Sequence, residues 1–130
     1  MNTPVPPRHL WPAAVLDAAL ILLFAAIGRD AHHQTEGALG VLATAWPFLA
    51  GAAIGWVAGR VWKRPLAVWP SGISVWLGAL VGGMVLRALT GQVVVLPFII
   101  VAALFLALVL LGWRALWALA RMLLLKRKTL

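Results

Sequence analysis

Four stretches of the chain run almost free of charge: Pro12–Gly28, Ala38–Gly59, Pro70–Leu89 and Val93–Trp113. Each comes close to the about 20 apolar residues that a helix needs to cross a hydrocarbon core of roughly 30 Å. The pattern predicts an all-α integral membrane four-helix bundle, one membrane domain over residues 1–130. The first stretch follows Arg8 and leads to Ala25-Ala26, as a signal peptide would. Asp17 interrupts it and no clear small-x-small cleavage site follows, so a retained span is expected.

The stretches also repeat one another. Trp11-Pro12 opens the first and Trp69-Pro70 the third, and eighteen residues beyond each Trp stand Arg29 and Arg87. At 1.5 Å per residue that is roughly 27 Å, close to one hydrocarbon thickness. The second and fourth carry Pro47-Phe48 and Pro97-Phe98, then Gly55-Trp56 and Gly112-Trp113 at unequal spacing, and close on Arg60 and Arg114. This reads as two parallel helical hairpins, an internal repeat of the kind found in transporters. When the halves are aligned, the first outer loop is the longer one, and its extra length includes the polar stretch around His32 and His33.

Small residues suggest how the helices meet. Gly51, Gly55 and Gly59 share one face of the second span, and Gly78 and Gly82 one face of the third. Glycines four apart let helix backbones approach closely. The partner is either the neighbouring helix of the same chain or a second copy in a homo-oligomer. The fourth span lacks Gly between Val93 and Leu111, which suits a lipid-facing position. Pro47 and Pro97 are expected to kink their helices.

Composition strengthens the membrane reading. The chain is 64% hydrophobic and 11% charged, with a mean hydropathy of +1.01. Soluble domains carry about 25% charged residues, so there is too little polar surface here to cover a globule in water. The net charge of +8 does not point to nucleic acid, because the basic residues punctuate apolar runs instead of forming a patch. Of the 11 Lys and Arg, only Arg29 and Arg87 fall on one side of the predicted membrane. Arg8, Arg60, Lys63, Arg64, Arg114, Arg121, Lys126, Arg127 and Lys128 fall on the other, which places both termini in the cytoplasm of a cell inner (plasma) membrane. Trp11, Trp62, Trp69, Trp113 and Trp117 flank the spans as interfacial anchors do. The tail, residues 114–130, reads as a basic amphipathic helix, with Arg114, Arg121 and Lys128 on one face and Leu116, Leu119 and Leu123 opposite. Such a helix binds the anionic lipids of an inner leaflet.

Few residues are left for chemistry. Asp17 lies about 9 Å along its helix from Trp11, inside the membrane, where an ionisable group calls for a partner. Arg114 and Arg60 are the candidates at similar depth, and a proton-relay or cation site is the alternative to a structural pair. Arg29 and Arg87 close the outer ends of two spans, near Asp30 and Glu36. They form either an ion cluster or a basic funnel for an anion, with His32 or His33 as a titratable neighbour. Adjacent histidines lack the i, i+4 spacing that aims two imidazoles at one metal, so no metal site is expected. With no cysteine, thiolate chemistry and disulfides are excluded. No catalytic set or phosphate loop is visible, so neither an enzyme nor a cofactor is expected.

Asp17, Phe24-Ala25, Gly28-Arg29 with His32, Thr44-Ala45, Pro47-Phe48 with Gly51, Gly83 with Arg87, and Gly112-Trp113-Arg114 together resemble the prokaryotic membrane family catalogued as domain of unknown function 3054. The resemblance implies four helices in the inner membrane and no particular activity. Two roles fit the residues better than a membrane enzyme does. One is an accessory or structural subunit of a membrane complex, held by lipid and by a membrane-protein partner. The other is a small oligomeric carrier or channel for a polar or anionic solute, using Asp17 and the Arg29, His32 and Arg87 cluster.

Overall fold

The computed structural model describes residues 9–31 and 37–128, apart from the side chains of residues 30 and 31. The described chain is all-α. It forms α1 (Leu10–Ala31), α2 (Gly37–Ala58), α3 (Val68–Leu89) and α4 (Leu96–Lys128), each containing a segment long and apolar enough to cross a membrane. The α2–α3 connection contains a 3-10 turn, Val61–Lys63, entered through Arg60 in the left-handed region at φ 48°. Trp69 is extended (φ −116°, ψ 131°), so regular helical geometry in α3 begins at Pro70. The tight α3–α4 turn uses Gly91 at φ +77°, a conformation that a side chain would strain.

The fourth helix departs from expectation in two ways. It starts at Leu96, because Val95 is extended (φ −122°, ψ 154°), and Pro97 sits in its first turn. A proline there lacks only an N–H that would have no helical acceptor, so Pro97 starts the helix and does not kink it. Pro47, in contrast, lies inside α2 and is buried. The helix then continues through a widened turn at Ala107–Leu111 to Lys128 without a break. Its 33 residues span about 50 Å, roughly 20 Å more than a hydrocarbon core. The basic tail is thus the projecting end of the fourth helix. Every residue from Ala115 to Lys128 is exposed, and the Trp117 ring lies 5.9 Å from that of His9.

The closest backbone approach falls between α2 and α3. A Cβ on Gly51 would collide with the Gly78 carbonyl, and one on Gly55 with the Ser74 carbonyl. A Cβ on Gly78 would meet the Gly51 carbonyl oxygen at 2.5 Å, and one on Gly82 the Gly51 Cα at 2.8 Å. Gly59 faces the Ser74 side chain, whose hydroxyl donates to the Gly55 carbonyl at 2.7 Å. These glycines meet within one chain, so a homo-oligomer would need a different face.

The four phenylalanines of the chain gather into one cluster around this helix pair. Phe24 of α1 lies 5.2 Å from Phe48, 5.4 Å from Phe105 and 6.4 Å from Phe98, ring centre to ring centre. Phe48 packs so close to α3 that a Cβ on Gly83 would meet its ring at 2.5 Å. Ile21, Ala52, Val61, Val75, Ala79, Ala102, Leu106 and Leu110 are buried in the same core. Ile100, Leu104 and Leu108 lie exposed along α4, a surface only lipid or another apolar partner could cover.

Candidate functional sites at the two ends of the bundle

The first site lies near the end of the bundle at which α1 begins and from which α4 projects. Asp17 is 2% exposed and Arg114 is 0% exposed. Arg114 Nη2 donates to Asp17 Oδ2 at 2.7 Å and Nη1 to Oδ1 at 2.9 Å, the bidentate fork that suits a guanidinium on a carboxylate. Two indoles complete the carboxylate: Trp56 Nε1 donates to Oδ2 at 3.0 Å and Trp113 Nε1 to Oδ1 at 2.9 Å. An ionised carboxyl accepts about four hydrogen bonds, and here it receives four.

Arg114 is fixed just as firmly. Its Nε donates to the Pro65 carbonyl at 2.9 Å, Nη1 also donates to the Leu110 carbonyl at 3.0 Å, and the guanidinium stands 4.4 Å from the Trp113 ring centre. The cluster therefore joins α1, α2, α4 and the α2–α3 connection through two side chains. Of the two candidate partners for Asp17, the pair forms with Arg114, and Arg60 is exposed. Arg114 thus belongs to the core and not to the exposed basic face of the tail that Arg121 and Lys128 share. Helical continuity makes the reason plain: the face bearing Arg114 is the face on which α4 meets the bundle. Trp113 likewise acts as a buried-site donor in addition to flanking a span.

The second site lies at the opposite end, about 18 Å along α1 from Asp17. Arg29 Nη1 donates to Thr44 Oγ1 at 2.9 Å, and its guanidinium covers Gly40, where a Cβ would sit 2.6 Å from Nη2. Arg87 Nη1 donates to Gln92 Oε1 and Nη2 to the Val93 carbonyl, both at 2.8 Å. The Arg87 guanidinium also lies 4.5 Å from the Phe98 ring centre, and its buried Nε has no hydrogen-bond partner among the described residues. Both arginines line one cavity of about 500 Å³, together with Thr44, Phe24, Phe98 and Val101. His32, His33 and Glu36, and the side chain of Asp30, lie outside the described residues. Among the described residues, no three His, Cys, Asp or Glu side chains come together as metal ligands would.

The structure thus brings Asp17 to Arg114 and Arg29 to Arg87, and keeps the two pairs apart. Sequence reasoning missed Trp56, Pro65, Thr44 and Gln92 as hydrogen-bond partners. A signal for two of the donors was present, because Trp56 and Trp113 are the tryptophans of the repeated Gly-Trp pairs. The repeat stops short of the acid, since the position matching Asp17 in α3 is Val75, fully buried in the core. Neither a curated protein nor a solved structure matches the chain. A family model does match, over residues 14–117, a segment that contains Asp17, Arg29, Arg87 and Arg114. The chain therefore belongs to the family described as protein of unknown function (DUF3054).

Proposed function

We propose that this protein is an accessory or structural subunit of a membrane complex in the inner (plasma) membrane, with both termini on the cytoplasmic side. The observation that carries this reading is the closure of the Asp17 site. All four acceptor directions of the carboxylate are taken by Arg114, Trp56 and Trp113, which leaves none for a travelling proton or cation. The outer cavity, for its part, is lined by Phe24 and Phe98, whose rings pack into the phenylalanine cluster. The exposed basic end of α4, with Arg121, Lys126, Arg127 and Lys128, supplies a surface for anionic lipid or for a partner at the cytoplasmic face.

Tagged protein extracted from native membranes in mild detergent is expected to bring down a membrane protein at fixed stoichiometry. Liposomes containing this chain alone are expected to show no flux of small anions or protons. A chain that purifies alone and conducts would overturn the subunit reading in favour of an anion carrier, for which Arg29 and Arg87 on one cavity are the support.

The orientation has its own test, made simple by the absence of cysteine. A single cysteine at exposed Thr90 should react with a membrane-impermeant maleimide in intact cells. One at exposed Lys63 should react only after permeabilisation. Labelling of the Lys63 variant from outside would reverse the topology.

A further inference from the structure

We propose that the cavity at the Arg29–Arg87 end binds an amphiphile whose head carries a net negative charge, a phosphate or carboxylate with no cation of its own, attached to a hydrocarbon chain. Its volume of about 500 Å³ falls within the roughly 300–1,000 Å³ of small-molecule sites. One part of its wall is made of hydrogen-bond donors. Arg29 and Arg87 both face it with the Thr44 hydroxyl, and guanidiniums suit oxyanions because their donors fork to match two oxygens.

Arg87 is the more telling of the two. Among the described residues its partners are neutral, the Gln92 amide oxygen, the Val93 carbonyl and the Phe98 ring, and its buried Nε has no acceptor. A buried donor left unmatched is unusual. An oxyanion in the cavity would supply the Arg87 guanidinium with a countercharge.

The rest of the wall decides what the head is attached to. Phe24, Phe98, Val95 and Val101 are apolar, and a small hydrated anion would leave them wet. Val95 and Val101 are also exposed on the outside of the bundle, so the apolar wall continues into the surface that faces the bilayer. Arg29 and Arg87 stand near the ends of their spans, at the depth of lipid head groups. A head group on the arginines would therefore leave its chain along Val101 and Phe98, parallel to neighbouring lipid. The site does not depend on the subunit reading above, because it is built entirely within one chain.

The test uses the full chain in an uncharged detergent, with thermal melting followed on addition of phosphatidylglycerol, phosphatidylcholine with the same acyl chains, or inorganic phosphate. Phosphatidylglycerol is expected to raise the melting temperature and the other two are not. Arg87→Gln should weaken the phosphatidylglycerol response on the order of tenfold. The basic tail is intact in that variant, so any lipid it holds contributes equally to both proteins. Val101→Trp keeps both guanidiniums but fills the apolar wall at an exposed position, and should lose the response while folding normally. Should Arg87→Gln fail to fold, the Val101 variant alone carries the test. Equal shifts with phosphatidylcholine or with inorganic phosphate, or a full response in Val101→Trp, would each overturn the proposal.

Discussion

Asp17→Asn is expected to unfold in mixed detergent with a loss of about 3–5 kcal/mol, the cost of leaving one member of a buried ion pair without the other. The amide keeps the shape of the carboxyl but offers one acceptor oxygen where four donors converge, and it turns an N–H group toward them. Arg114 has no way to escape to water, being fully buried and tied to the Pro65 and Leu110 carbonyls. The smaller effect expected of an arginine that snorkels to the interface does not apply. Trp56→Phe and Trp113→Phe each remove one hydrogen bond to a charged acceptor, for about 1.5–3 kcal/mol apiece. Replacing Asp17 and Arg114 together by Leu and Met should recover part of the loss, because no buried charge then remains. Unfolding of Asp17→Asn at the wild-type midpoint would show that the pair does not hold the bundle.

Gly51→Ala should loosen the bundle by about 1–3 kcal/mol, through overpacking at the tightest helix contact. The added methyl falls on the Gly78 carbonyl, so backbone and not a flexible side chain must move. Gly78→Ala meets the same contact from the other side, and the double variant should cost less than the sum. Gly28 and Gly112 are the controls, since a Cβ there meets nothing within 4 Å. Alanine at either is expected to be neutral or to stabilise by up to about 1 kcal/mol, as in any helix interior. The discriminating measurement is the same unfolding curve on all four single variants. If Gly51→Ala and Gly28→Ala unfold alike, the α2–α3 ridge is not what packs these helices.

The limits of the helices were legible because their causes are local. Long apolar runs cross lipid only as helices, since every backbone polar group must be satisfied within the segment. Gly spacing on α2 and α3 marked a contact face for the same reason: it depends on periodicity within one helix. The exceptions lie in α4, which runs on unbroken past Trp113, and at Pro97, whose place in an apolar run suggests a kink. Its true position in the first turn follows from the non-helical Val93–Val95 segment, which hydropathy alone does not distinguish from helix.

By itself the sequence determined that the chain is a bundle of four membrane-length helices, that α2 and α3 each carry a face open to close contact, and that Asp17 needs a partner inside it. Each of these rests on a pattern within a single helix and on the cost of a polar group in lipid. Only the tertiary structure decided between Arg60 and Arg114, because a partner 97 positions away in sequence is chosen by how α1 and α4 face each other. It also decided that Trp56 and Trp113 close the site and that Arg29 and Arg87 share a cavity. Side chains from different helices converge by helix rotation and depth, and those are settled when the glycine faces lock and the rest of the core packs around them.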